Sequence, residues 1–346
     1  MAEQVGVGVV GTGLSATQHL TALQDVPNGR VVAVAGTSLA KARAFADKWR
    51  IPRACASAEE LIGLDEVEVV HTCVPPDQRW PIARLCAARG KHLLLEKPMA
   101  RNVAEADEIL ALCDRAGITV GAMFQNRFTP LAQKLKAAVE QSKLGQLLLV
   151  NVSAKWYRHA EYYQNSSWRG TAEREGGAVL INQAIHSIDM MRWICGPVAE
   201  VEGLTATQLH PIEMEDVGMA LLRFVDGAVG SIVATTVAWP GFSDRLDLHG
   251  TRGSATLIQN EGRLEWFLQG EEPRVETANS QVSGGSRDPA ATPSHGHAAE
   301  FTDLYAALRE RRQPTIDGRE GRHALEIVEA IYRSGRERRP VKLPLA

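Results

Sequence analysis

The feature that most constrains the fold is an alternation running from the N-terminus to about Gly121. Short β-branched runs, VGVGVV from Val5, VVAVAG from Val31, VEVVHTCV from Val67, HLLLE from His92 and ITVGA from Ile118, are separated by helical patterns. Three of these, SLAKARAFADKW, QRWPIARLCAARG and VAEADEILALCDRAG, carry apolar residues at helical spacing and end near Gly or a basic residue. Strand and helix in turn require a parallel sheet with right-handed crossovers, so this half reads as a doubly wound α/β domain.

The remainder changes character. A helix is expected from about Arg127 to Ser142, then GQLLLVNVSAKWY as a strand, a helix near Ala178 to Cys195, and a series of strands from Val198 to Leu268. Short turns such as Val225-Asp226-Gly227 and Gly250-Thr251-Arg252-Gly253 join those strands into hairpins, which predicts a large, open, mostly antiparallel sheet. Two helices, about His297 to Arg311 and Gly318 to Ser334, follow it. The chain has 346 residues, more than one core usually supports, and divides on this reading into domains 1–123 and 124–346. The Ser-, Gly- and Pro-rich stretch Asn279 to Gly296 reads as a mobile loop.

Composition removes several function classes. A net charge of -3, with 23% charged residues, leaves no basic excess for nucleic acid and no single-sign field for a membrane surface. No apolar run approaches a membrane span, and no basic segment precedes the first apolar run, so a cytoplasmic protein is expected. The five cysteines are scattered and never form C-x-x-C, which fits neither a disulfide framework nor a zinc site. His295 and His297 lack nearby Cys or carboxylate partners, and no metal is assigned.

Gly11-Thr12-Gly13-Leu14-Ser15-Ala16 matches G-x-G-x-x-A between the first strand and a helix, where backbone amides hold a pyrophosphate. Gly11 makes the tight turn, Gly13 lets the backbone approach the phosphates, and Ala16 allows close packing of helix on strand. The second strand ends Gly36-Thr37-Ser38-Leu39-Ala40-Lys41, without the carboxylate that takes the ribose hydroxyls of NAD. Thr37 and Ser38, with Lys41 or Arg43 a turn along, favour the 2′-phosphate of NADP, with NAD as the alternative; Ser38 equally suits a helix cap.

Glu96-Lys97-Pro98 stands at the C-terminal edge of a parallel strand, where ligands bind in open α/β sheets. An isolated lysine after a strand is usually a solvated charge. Pro98, however, restricts Lys97 to an extended conformation and aims its side chain. Asn182, His186 and Asp189 also fall at i, i+4 and i+7 along an apolar helix, and such a stripe needs a polar partner.

Together GVVGTG, EKP, QNRFTP, GGAVLINQAIHSID and the closing segment from His295 resemble the signature segments of the glucose–fructose oxidoreductase, inositol dehydrogenase and rhizopine-catabolism family, written Gfo/Idh/MocA. The resemblance spans nearly the whole chain. It implies an N-terminal Rossmann domain, and a C-terminal domain whose open sheet mediates homodimers or homotetramers. It implies that Lys97 hydrogen-bonds the reacting hydroxyl and that His186 lies beside the nicotinamide. Many members carry Asp four residues before that histidine; here the position is Asn182, whose amide cannot accept a proton, so Lys97 and His186 are left as the acid/base groups. Pro75, Glu96, Trp168 and Arg169 are implied near the cofactor, and Asn126, Arg127, Trp156 and Asn182 near the substrate. Trp156, Tyr157 and Tyr163 either stack on a sugar ring or pack under the sheet.

The implied activity is hydride transfer between NAD(P) and a secondary alcohol or ketone of a sugar, sugar acid or cyclitol. For Lys97 to act as a base near neutrality, its ordinary pKa of about 10.4 must be lowered. Two other readings stand beside this one: glycoside cleavage through transient ring oxidation on a retained NAD, and a dinucleotide sensor without chemistry.

Overall fold

The computed structural model describes residues 4–278 and 295–345. The first part of the chain runs β1 (Val5–Val10), α1 (Leu14–Leu23), β2 (Gly29–Ala35), α2 (Leu39–Trp49), β3 (Arg53–Cys55), α3 (Ala58–Ile62), β4 (Val69–Thr72), α4 (Arg79–Arg89), β5 (His92–Leu95), α5 (Val103–Ala116) and β6 (Val120–Ala122). These strands form a six-stranded sheet in the order β3-β2-β1-β4-β5-β6, every pair parallel. The strand order reverses beside β1, which opens a crevice at the carboxyl ends of β1 and β4.

Both faces of this sheet are covered, so its strands are buried along their length rather than alternating: Val5, Val7 and Val9 of β1 are all fully buried. Ser38, Ser57 and Asn102 start α2, α3 and α5 by accepting the backbone N–H three residues on, from Lys41, Glu60 and Glu105. The sequence reading did not contain β3 or α3, a three-residue strand and a five-residue helix.

The chain continues with α6 (Pro130–Glu140), β7 (Leu147–Lys155), α7 (Ala160–Gln164), a π-helical turn at Val179–Gln183, α8 (Ile185–Cys195), β8 (Val198–Ala206), β9 (Val217–Phe224), β10 (Val229–Thr235), β11 (Arg245–Gly250), β12 (Gly253–Ile258), β13 (Arg263–Leu268), β14 (Arg274–Thr277), α9 (His295–Glu310), α10 (Gly318–Glu337) and β15 (Val341–Lys342). Nine strands form a second sheet in the order β14-β13-β12-β11-β7-β10-β9-β8-β15. It is antiparallel except where β10 pairs with β7.

Each strand of this sheet alternates. Val150, Val152, Ala220, Leu222, Ile232 and Leu248 turn to a buried face packed by α8 and its neighbour α6. The opposite face exposes Leu204 and Leu221, each at 62%, together with Met219 and Leu149. The helix expected over Ala178 to Cys195 is two pieces, since a π turn precedes α8.

By contacts the chain divides into two compact units, Met1–Gln125 with Ser294–Arg322, and Asn126–Pro293 with His323–Ala346. Helix α9, far along the sequence, belongs to the first unit and packs on α1, so a single cut at residue 123 does not describe the division. Of the loop expected over Asn279 to Gly296, residues 279–294 lie outside the described residues, and His295 and Gly296 open α9 instead. No helix among the described residues is long and apolar enough to cross a membrane.

Candidate active site

In the first unit, the glycine turn leaves β1 at the sheet's carboxyl edge. Gly11 has φ +124°, and a Cβ there would lie 2.1 Å from the Cys73 carbonyl oxygen, so only glycine fits. At Gly13 a Cβ would meet nothing within 4 Å. Gly13 is also the N-cap of α1, and no side chain caps that end. Open space beside a helix N-terminus with uncapped amides is the setting a pyrophosphate needs, so the residues present fit a dinucleotide. Ala16 is fully buried where α1 meets the sheet, while Leu14 is exposed.

At the end of β2, Thr37, Ser38 and Lys41 are exposed and no carboxylate follows before Arg43. The Ser38 hydroxyl accepts the Lys41 N–H at 3.3 Å, so it does cap α2. Pro75 follows β4 and leads into a 3-10 turn at Pro76–Gln78.

Beyond β5, Lys97 is half-buried and Glu96 is 7% exposed. One carboxylate oxygen of Glu96 lies 2.9 Å from His19 Nε2 on α1, and the other accepts the Lys97 N–H at 3.0 Å. Burial alone would raise the Glu96 carboxyl, but the hydrogen bond with His19 and the charges of Lys97 and Arg79 hold it well below the usual carboxylate range. Arg79, 4% exposed, donates to the carbonyls of Val74 at 3.1 Å and Lys97 at 3.3 Å. Sequence reading missed Arg79, since a lone arginine at a helix start carries no signal.

In the second unit, Glu175 is 1% exposed; its carboxylate accepts the Gly170 N–H at 2.5 Å and a hydrogen bond from the Asn182 amide. A carboxylate therefore stands directly behind Asn182, which the sequence did not disclose. Asn182 lies in the π turn, where an i→i−5 bond from Ala184 to Val179 breaks the expected stripe with His186 and Asp189. His186 is half-buried in the first turn of α8. Glu215 fixes the π turn from below by accepting the Leu180 N–H at 2.9 Å and the Tyr332 hydroxyl at 2.8 Å.

Asp189 is bound by Arg127, Nε to Oδ2 at 2.8 Å and Nη2 to Oδ1 at 2.5 Å, and both residues are buried. Arg127, expected to reach substrate, is thus engaged in tying the segment before α6 to α8, beneath Trp193. Asn126 caps the same segment, its carbonyl accepting from Thr129. Trp156 donates its indole N–H to Asp244 at 2.5 Å and lies under the Arg158 guanidinium. Asp244 also accepts from Ser187, the neighbour of His186, at 3.2 Å, and burial raises its carboxyl to about 6. Arg169 stacks between Tyr162, at 4.1 Å, and Trp168, at 4.9 Å. Tyr163 is buried against Thr236, and Tyr157, half-buried, makes edge-on contacts with Trp239 and His159.

Residues 5–124 match the family described as "Oxidoreductase family, NAD-binding Rossmann fold", and residues 132–256 match the GFO/IDH/MocA C-terminal domain. An uncharacterized oxidoreductase of Synechocystis sp. is 31% identical over 76% of this chain and 74% of its own length. The chain belongs to the Gfo/Idh/MocA oxidoreductase family. A myo-inositol 2-dehydrogenase of Thermotoga maritima is 25% identical over 97% of this chain and 98% of its own. The WlbA dehydrogenase from Bordetella pertussis, solved with NADH and UDP-GlcNAcA, superposes with a TM-score of 0.89 at 28% identity, covering 100% of this chain and 99% of that one.

Proposed function

We propose that this oxidoreductase moves a hydride between a bound nicotinamide dinucleotide and a secondary alcohol or ketone of a sugar, sugar acid or cyclitol. The observation that carries the reading is the position of Lys97: it leaves β5 on the same carboxyl edge at which the glycine turn leaves β1, beside the reversal of strand order. The substrate class is supported by the myo-inositol dehydrogenase and by the sugar-nucleotide complex of the Bordetella protein.

When bound, a nicotinamide dinucleotide would supply or accept the hydride. The Gly11 to Ala16 turn would hold its pyrophosphate, with Pro75 and Glu96 bordering it. Oxidising an alcohol also removes its hydroxyl proton, and Lys97 and His186 are the groups that hold and move it. Lys97 Nζ hydrogen-bonds the reacting hydroxyl. Either this lysine or His186 takes the proton in oxidation and returns it in reduction. Asn182, fixed by Glu175, orients substrate without titrating, and Asn126 is a further substrate contact, Trp168 and Arg169 further cofactor contacts, on this reading. Arg127 is left out, being committed to Asp189.

For the cofactor we infer a preference for NADP(H), because no carboxylate follows β2 to repel a 2′-phosphate and Lys41 and Arg43 stand exposed nearby. A second copy of the chain is the proposed cover for the exposed apolar face of the nine-stranded sheet, giving a homodimer or homotetramer.

The test is to mix protein with NADP(H) or NAD(H) and a panel of sugars, sugar acids and cyclitols while following absorbance of the reduced nicotinamide. Substrate-dependent oxidation or reduction is expected. Cleavage of a glycoside with no added cofactor would replace this reading with the ring-oxidation one, and silence across the panel with intact dinucleotide binding would favour a sensor.

A further inference from the structure

Four buried side chains of the first unit form an unbroken column of polar contacts. The Tyr305 hydroxyl on α9 lies 2.8 Å from His71 Nε2 on β4. His71 Nδ1 lies 2.9 Å from His19 Nδ1 on α1, and His19 Nε2 lies 2.9 Å from Glu96 Oε1. Tyr305, His71 and His19 are all 0% exposed. Phe301 tilts against both imidazoles, and the His297 ring stands 5.9 Å from that of His19. The other titratable neighbours are Cys73, toward Tyr305, and Arg79 and Lys97, toward Glu96.

Proton accounting leaves one satisfied arrangement. A neutral imidazole has one donor nitrogen and one acceptor nitrogen. Burial keeps the His71 imidazole well below its ordinary range, so it is neutral. Burial keeps the proton on the Tyr305 phenol, and among the described residues its one hydrogen-bond partner is His71 Nε2. A buried hydroxyl proton takes an acceptor where one is present. Tyr305 therefore donates to His71 Nε2; His71 must then carry its proton on Nδ1 and donate it to His19 Nδ1. That leaves the His19 proton on Nε2, facing the carboxylate of Glu96. Each of the three protons has one acceptor, and none is left over.

We infer that this column runs in one direction, Tyr305 to His71 to His19 to Glu96, and that it sets the orientation of the Lys97 peptide through the Glu96 carboxylate. Glu96 Oε2 accepts the Lys97 N–H, so a rotation of Glu96 moves the lysine backbone. His19 sits on the helix that opens at the glycine turn, and the column thereby ties the dinucleotide-binding turn to the lysine. Tyr305, His71 and His19 are positioning residues, a role that rests on the reading of Lys97 as the group that meets the substrate hydroxyl.

Two-bond 1H–15N spectra of protein labelled at histidine read the direction without any substrate. Protonation of His71 at Nδ1 only and of His19 at Nε2 only is expected; a His71 protonated at Nε2, or a His19 protonated at both nitrogens, overturns the proposed direction. Tyr305→Phe removes the first donor. It is expected to shift the His71 Nε2 resonance and to lower kcat by about tenfold to a hundredfold, while dinucleotide affinity stays within about twofold. A kcat within about twofold of wild type, with the His71 resonance shifted, overturns the positioning role. If the variant does not fold, the wild-type spectrum still decides the direction. If the wild-type protein transfers no hydride to any substrate, the reading of Lys97 fails while the spectrum stands.

Discussion

His19 Nε2 and Glu96 Oε1 lie 2.9 Å apart, linking the helix that follows the glycine turn to the residue that precedes Lys97. Neither residue is near the other in sequence. The parallel sheet brings them together: α1 follows β1, Glu96 follows β5, and β4 between those strands carries His71, whose ring meets His19 at 2.9 Å. The two motifs are consequently parts of one polar assembly in the first unit.

The two glycines of the turn are predicted to separate stability from binding. Gly11→Ala forces a Cβ to 2.1 Å from the Cys73 carbonyl at φ +124°, and is expected to cost about 2 kcal/mol or more in denaturant unfolding. Gly13→Ala meets no protein atom within 4 Å and is expected to cost under about 1 kcal/mol. Its effect falls on the ligand instead: dinucleotide affinity, by fluorescence titration, should drop about tenfold, near 1.4 kcal/mol. Unchanged affinity in Gly13→Ala would place the pyrophosphate elsewhere.

Cofactor choice is read at the end of β2. NADP(H) is expected to bind more tightly than NAD(H), and Ser38→Asp should reverse the order by setting a carboxylate against the 2′-phosphate. A wild-type protein that binds NAD(H) about tenfold more tightly would show that Lys41 and Arg43 do not serve the cofactor.

Stability is predicted to fall with rising pH because of Glu215. Burial outweighs the hydrogen bonds from Leu180, Tyr332 and Ala178, and lifts this carboxyl from 4.5 to about 7. A folded-state value above the unfolded one means that the contribution is complete below pH 4.5 and is lost as the pH rises through 7. The span corresponds to roughly 3 kcal/mol. Asp244, raised to about 6, acts with the same sign. Glu215→Gln keeps the neutral form at every pH, so its Tm should vary less over this range than that of the wild type; equal slopes would refute the assignment.

The exposed face of the nine-stranded sheet is predicted to be an interface between copies. Light scattering at micromolar protein should return a dimer or tetramer mass, and Leu221→Arg, at a position 62% exposed, should lower that mass without lowering the Tm of the folded unit. A wild-type monomer would contradict the prediction.

The glycine turn, the Lys97 strand end and both sheets were legible because each shows as a period or a contiguous motif. The column from Tyr305 to Glu96 was not, since its members are single residues as much as 234 positions apart, joined only by topology. Glu175 behind Asn182 escaped for the same reason. The π turn has the same residue types as the α-helix that follows it, so the apolar pattern over Val179 to Cys195 gave one helix where the backbone forms two. β14 and β15, of four and two residues, fall below the length at which alternation can be read.

The central claim is that Lys97 and His186 move the proton while the glycine turn holds the dinucleotide, and the most direct measurement is single-turnover hydride transfer by Lys97→Met beside its dinucleotide affinity. Methionine keeps much of the side chain's length but has no proton to give or take. Transfer is predicted to slow at least about a hundredfold with affinity almost unchanged, and His186→Asn to remove an imidazole titration from the pH profile. Transfer by Lys97→Met within a factor of about three of wild type would show that Lys97 only ends a strand.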